Sequence, residues 1–585
     1  MSAKYLMMYF IVSGIIVSSL SLKPAASPVE KVFHEQVVDL LHHLEHFEKA
    51  ISEHADKDVL IGHFTESRSA YKRSSILVDY FSPILRKNIN GPDIRYAEDD
   101  NPDIIHEPHG FQVMERILYG EINYNQLNFE CASLIELFKS INEQPELSYK
   151  FRNELVFDAM KSSVITLISL GITGFDSPLA LNSLKESEAV LTGLEDILKI
   201  YNDDESLNLI ADAKKFIAGA KDFNSFNRLK FIKQFGDPLY ALLVKKMVAG
   251  GYQLPAERRP LNQLTASIFS DSLFDINFFS PNERYRMNPG RVALGRSLFY
   301  DSIFSLSVKR NCASCHDPSK SFTDGLRTPV GINTSGKLKR NTPTLLGSAV
   351  QTRFFYDSRA STLENQLNTV VHNIDEMNGS LQEAIERIEE HQVYSSEFKK
   401  AYPNDAQPVT KYNIANAISS YIRSLSSFNT RFDRFMRGQG KLSSAEIRGF
   451  NLFAGKAKCA TCHFIPLFNG LVPPQFTETE SEVLGVPAGK DSSVVDEDLG
   501  KFVFTRSEIH KHAFKTPTLR NVTRTAPYMH NGVFNTLEEV MDFYNKGGGA
   551  GMNIHLDNQS LPAEPLNLNK REIKSIIAFL GTLND

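Results

Sequence analysis

Apolar residues recur at three- and four-residue spacing over long stretches of this chain, the period of an amphipathic helix. Val37, Leu40, Leu41, Leu44, Phe47 and Ile51 form one stripe, and Val190, Leu191, Leu194, Ile197 and Leu198 form another. Between about 28 and 250 no segment alternates with the period of a sheet, so the pattern predicts an antiparallel helical bundle. A Pro-marked linker follows around 252–262. Beyond it, helices are expected over 291–300 and 359–371, and in a stretch with Ile414, Ala417, Ile418, Tyr421, Ile422 and Leu425 on one face. Near 442 a second unit begins, with Ser443 and Glu446 at capping-box spacing ahead of Phe450, Leu452 and Phe453. The last helix, 571–583, carries Ile573, Ile576, Ile577 and Leu580 on one stripe. The expectation is a mainly α chain: a bundle over 28–250, then two smaller domains over 265–438 and 439–585.

The first 27 residues stand apart. Lys4, the apolar run 5–22 and the small residues Ala25-Ala26-Ser27 read as a secretory signal, which predicts a periplasmic protein. An uncleaved anchor is the competing reading, since the run approaches the length that spans a bilayer, although its serines and Gly14 weaken it. No other long apolar run occurs. A net charge of -5 over 585 residues leaves no basic field for nucleic acid. Nothing in the sequence bears on oligomeric state.

The chain has only five cysteines, and four of them lie in two C-x-x-C-H stretches, Cys312-Ala313-Ser314-Cys315-His316 and Cys459-Ala460-Thr461-Cys462-His463. In this pattern two thiols bond the porphyrin vinyl groups and the adjacent His ligates the iron, so two covalent c-type haems are expected. Paired zinc or redox sites are the alternative. Zinc, however, needs further ligands at finger-like spacing, and a redox motif needs no His directly after it. Cys131 is left alone, which excludes a disulfide framework and suits a small buried residue. Trp is absent altogether.

From about 281 to its end the chain resembles the bacterial dihaem cytochrome c peroxidase and MauG family. The resemblance rests on Leu294-Gly295-Arg296-Ser297-Leu298-Phe299-Tyr300-Asp301, Arg340-Asn341-Thr342-Pro343-Thr344-Leu345, Asp357-Ser358-Arg359-Ala360, Thr516-Pro517-Thr518-Leu519-Arg520-Asn521-Val522 and Thr525-Ala526-Pro527-Tyr528-Met529-His530-Asn531-Gly532. It implies two class I cytochrome c-like domains. The His316 haem is then peroxidatic, with Glu376 as distal acid-base group and Gln366 beside it, and the His463 haem transfers electrons. The loop 330–339 lacks the His that many such peroxidases use to cap the first iron, so the first haem is expected to rest open; His372 is the objection. Fourteen residues after His530 stands Tyr544, the position of a tyrosine ligand in MauG, with Met541 as the competing ligand. Further carry-overs are a calcium site at Asn341 and the carbonyls of Thr525 and Pro527, and an inter-haem relay at Tyr356 where the family has tryptophan. The implied partners are hydrogen peroxide and an electron source, either a small donor protein (cytochrome or cupredoxin) or a protein substrate.

The N-terminal part resembles the imelysin-like family of exported helical proteins at Phe64-Thr65-Glu66-Ser67-Arg68-Ser69-Ala70-Tyr71-Lys72 and Glu107-Pro108-His109-Gly110-Phe111-Gln112-Val113-Met114-Glu115-Arg116. That family carries His-x-x-Glu where this chain has Gln112 and Glu115, which weakens a metal-binding expectation even with His106 and His109 nearby. A non-enzymatic dihaem carrier or iron-handling module is the alternative to a peroxidase.

Overall fold

The computed structural model describes residues 27–98, 101–143, 151–253, 257–332 and 338–585. Residues 1–26 of the expected leader, and 333–337 at the centre of the loop expected to lack a His, lie outside them. Helices dominate, and the named strands form two two-stranded antiparallel ribbons. Among the described residues no helix is long and apolar enough to cross a membrane.

The first helix, Pro28–Ser52, starts at a capping box in which Ser27 and Glu30 satisfy each other's backbone N–H groups. Its stripe Val37, Leu40, Leu44, Phe47 and Ile51 is fully buried, each side chain contributing about 1.5–3 kcal/mol on transfer from water. It packs on Lys57–Phe81, which packs in turn on Ser183–Ile200. Charge is buried between these last two: Arg68 donates to Glu186 at 2.7 and 3.0 Å and to the Asp176 carbonyl, and Lys72 pairs with Asp176 at 2.7 Å. Glu115 joins the network, accepting from Ser177, Leu179 and Ala180 while facing Arg68 at 3.7 Å. The carboxylate that the imelysin-like resemblance singled out is thus committed to an internal guanidinium. One ribbon in the bundle breaks the all-helical expectation, with Tyr96–Glu98 paired to Asn101–His106.

The two C-terminal domains repeat one device. In each, a helix leads into the C-x-x-C-H turn and a later helix crosses it where a glycine allows backbone contact. Pro289–Tyr300 crosses Lys411–Ser424 at Gly295, and Ser444–Phe453 crosses Lys570–Leu580 at Gly449. A Cβ on Gly295 would stand 1.8 Å from the Ala417 carbonyl oxygen, and one on Gly449 would stand 1.9 Å from that of Ser575. Ser443 and Glu446 do form the expected capping box. The first domain has its own apolar core around Leu298, Phe299, Ile414 and Ile418. The second shares one continuous core with the bundle, running from Val37 and Leu194 through Leu229 to Phe450, Phe453 and Phe579.

Candidate active site

A cavity of about 2660 Å³ runs past both C-x-x-C-H turns and is walled by the two C-terminal domains and one side of the bundle. At the first turn, Asn311 and Ser314 cap each other reciprocally around a single helical turn, Cys312–Ser314, and Asn311 also donates to the Tyr300 carbonyl at 2.7 Å. Cys312, Cys315 and His316 all line the cavity. The His316 Nδ1 lies 3.0 Å from the Phe322 carbonyl, which only accepts, so Nδ1 carries the proton and Nε2 keeps its lone pair for a metal. Burial holds this imidazole below its ordinary pKa, in the neutral form that a metal requires.

The second turn repeats the geometry. Lys458 takes a left-handed conformation (φ 54°) to enter the turn Cys459–Thr461, and His463 Nδ1 donates to the Pro517 carbonyl at 3.1 Å. Burial lowers the His463 pKa to about 4 and raises the Cys459 thiol to about 12. Each turn therefore offers two half-buried thiols and one pre-oriented neutral imidazole, the donor set that covalent haem attachment needs.

Across the first half of the cavity stand Glu376 and Gln366. Burial raises the Glu376 carboxyl, while the bond from Asn373 Nδ2 (2.7 Å) and the nearby Arg359 oppose that rise. Arg310 braces the same loop through the carbonyls of Glu376 (3.3 Å) and Gly331 (3.2 Å). His372 ends the Leu363–His372 helix, is exposed, bonds the Asn368 carbonyl at 2.8 Å and is not among the cavity-lining residues.

Across the second half, Met541 and Tyr544 lie three residues apart on the Leu537–Asn545 helix, and both line the cavity. Burial raises the Tyr544 phenol well above its ordinary value, and the adjoining Cys462, Cys459 and Glu482 add to the effect. Tyr356 lies in the wall between the halves, with its hydroxyl 3.4 Å from Asn341 Oδ1, and burial raises its pKa too. Asn341 is held to the second domain by its N–H on the His530 carbonyl (2.7 Å). Thr525 and Pro527 line the same cavity, and among the described residues neither carbonyl accepts a backbone hydrogen bond. These neutral oxygens suit a hard cation such as calcium.

Several wall residues carry no sequence signal of their own. Arg340 grips Asp498 with two bonds, 2.6 and 2.9 Å, and Asp357 with one of 2.6 Å, clamping the two domains together. Lys515, whose pKa burial lowers to about 8, donates to Gln351. Glu480, raised to about 7 by burial with Glu482 adding to it, flanks the second turn. Arg340 opens one motif block and Lys515 directly precedes another, but neither had a role legible in the sequence. Glu482 lies on the short strand Ser481–Val483, and Glu480 directly precedes it.

The family description di-haem cytochrome c peroxidase matches residues 289–441. The methylamine utilization protein MauG of Methylorubrum extorquens is 35% identical over 298 residues, 51% of this chain and 79% of that protein. Cytochrome-c peroxidase IdrP2 of Denitromonas iodatirespirans is 33% identical over 320 residues, covering 51% and 82%. Cytochrome c551 peroxidase of Nitrosomonas europaea is 30% identical over 298 residues, covering 51% and 80%. Among solved structures, a MauG-like protein associated with microbial copper homeostasis aligns at 28% identity with a TM-score of 0.48, covering 57% of this chain and 95% of that one.

Proposed function

Because the chain belongs to the di-haem cytochrome c peroxidase family and is a haem peroxidase by that membership, we propose that it is an exported enzyme of the MauG-like kind, whose first haem meets peroxide without prior reduction. Two c-type haems and hydrogen peroxide as substrate come with the family. The observation that carries the finer reading is Glu376: a half-buried carboxyl with raised pKa, steadied by Asn373, lining the same cavity as Cys312, Cys315 and His316.

When bound, the first haem supplies the iron at which peroxide is reduced, and the second stores or passes an electron. The rest is work for the side chains. His316 Nε2 would hold the iron of the first haem, the ring being fixed in orientation by the Phe322 carbonyl. Glu376 takes a proton from the near oxygen of peroxide and returns it to the far one, which makes the leaving group water. Its raised pKa brings it closer to the neutral range, where a proton shuttle works best. Gln366 is a hydrogen-bond partner for peroxide, and Arg310 keeps the Glu376 loop in position. His463 and Tyr544 would hold the iron of the second haem. A phenolate there favours ferric iron, whereas Met541 would favour ferrous.

Further parts of the reading rest on the residue-by-residue resemblance. Asn341, Thr525 and Pro527 hold calcium, Tyr356 relays electrons between haem domains spanning 265–438 and 439–585, and the Lys4-led apolar run directs export to the periplasm. The 28–250 bundle is imelysin-like in descent, and its Glu115 serves Arg68 rather than a metal. The electron source is a small cytochrome or cupredoxin, or a protein substrate. Glu376→Gln tests the central role. Peroxide-driven turnover should fall by about 10²–10⁴-fold with the haem spectrum otherwise intact, the usual worth of a positioned acid-base group. Unchanged turnover would take the acid-base role away from Glu376, whereas haems that cycle between redox states with no peroxide turnover in either protein would leave a non-enzymatic carrier or iron-handling module as the better reading.

A further inference from the structure

The second haem turn is covered by the protein itself. Ser169 donates to the Ile465 carbonyl at 2.6 Å, Phe175 meets Phe464 edge-on at 5.8 Å, Lys458 reaches the Pro178 carbonyl at 3.4 Å and Arg228 abuts Gly455. Among the described residues the first haem turn has no such hydrogen-bonded cover from the bundle, and one side of it carries an aromatic path to the surface. Phe299 lines the cavity beside Cys312. Its ring lies 5.2 Å from Tyr421, 5.2 Å from Tyr300 and 6.3 Å from Phe322, the residue whose carbonyl holds His316. Tyr421 is 7% exposed, between Ile418 and Ile422 of the cavity wall, whereas Tyr300 is 41% exposed. The two phenol oxygens are 3.4 Å apart.

This pairing differs from that of four other tyrosines whose hydroxyls are anchored. Tyr71, Tyr80 and Tyr394 donate to Asp79, Asp158 and Asp301, and Tyr402 donates to the Asn413 carbonyl. Those partners anchor a hydroxyl and do nothing else. Tyr421 instead faces a second oxidisable phenol that opens on solvent, and neither hydroxyl has a carboxylate among its hydrogen-bond partners. Arg296 is exposed on the same helix as Tyr300, acts electrostatically on Tyr421 and disfavours a buried cation there.

We propose that Tyr300 and Tyr421 form a surface oxidation site at which the first haem domain takes single electrons from phenols. The inference rests on the peroxidase reading above. The electron path runs from Tyr300 through Tyr421 and Phe299 to the first haem, and packed rings keep each tunnelling step short. For each electron that moves inward, Tyr300 releases its phenolic proton to solvent. A phenol then gives Tyr300 one electron and one proton, restoring the hydroxyl and leaving as a phenoxyl radical. One peroxide accepts two electrons and two protons and becomes two waters, while two phenols become two phenoxyl radicals.

The test uses the full-length holoprotein, peroxide, p-cresol as donor and a nitroso spin trap with peptide mapping by mass spectrometry. Without donor, the trap adduct should sit on Tyr300, and Tyr300→Phe should abolish it. With donor, Tyr300→Phe should lower kcat/KM for p-cresol by about tenfold or more, and Tyr421→Phe should lower it while leaving the Tyr300 hydroxyl free to react with tetranitromethane in protein not exposed to peroxide. If the haem spectrum of the unmutated protein responds to peroxide but the adduct maps elsewhere, or Tyr300→Phe keeps its p-cresol turnover, this inference is overturned and the peroxidase reading stands. If the haem spectrum does not respond to peroxide at all, both fall.

Discussion

Tyr544 and Met541 compete for one iron because a helix presents residues three apart on the same face. Both side chains reach the cavity from the Leu537–Asn545 helix, so geometry alone does not choose between them. Chemistry does. The Tyr544 phenol is held far from ionisation by burial, and a ferric centre would supply the positive charge that offsets this. Tyr544→Phe should therefore raise the midpoint potential of the second haem and abolish its low-spin tyrosinate spectrum, with Met541→Leu leaving both unchanged. Potentiometry with EPR decides the matter, and the opposite pattern would assign the iron to Met541. At this scale the sequence was most informative: C-x-x-C-H is a local pattern, and the count from His530 to Tyr544 needs no fold. What it could not carry was the second partner of each group. Phe322 and Pro517 act on His316 and His463 through backbone carbonyls, which any residue supplies.

Helices were legible where one face is buried and the start is capped. Thr362, Thr410 and Ser443 cap their helices with side-chain oxygens, and the 3.6-residue stripes of the first and last helices lie inward. Other elements escaped for a physical reason. The Tyr96–Glu98 and Asn101–His106 ribbon is largely exposed, so no alternating stripe marks it. The π turns Leu167–Gly171 and Ile232–Gly236 differ from their flanking helices by one residue per turn, too little to shift a pattern. The two glycine crossings carry the strongest element-level prediction. Gly295→Val would drive a side chain into the Ala417 carbonyl, and overpacking of this kind costs about 1–3 kcal/mol or more. Denaturant melts should show that loss together with weakened retention of the first haem environment. An unchanged midpoint would mean that the crossing tolerates separation and does not set the cavity wall.

On the scale of the whole molecule, the bundle is part of the haem-bearing body rather than an appended domain. Ser169 and Ile465 are 296 positions apart in sequence, and Leu229 bonds the Asn451 side chain across 222. No periodicity encodes such contacts, which is why a linker around 252–262 suggested a separate unit. The shared core covers the second haem turn and leaves the first domain as the accessible one. The exposed His372, tied to Asn368, bears on the same asymmetry, because Glu376 and Gln366 line the cavity with the first turn and His372 does not. The most direct test of the account is the EPR and electronic spectrum of the as-isolated diferric protein before and after adding peroxide with no reductant. The account predicts one high-spin and one low-spin haem, with immediate oxidation by peroxide. Two low-spin haems that respond only after half-reduction would contradict it and assign a capping ligand to the first iron.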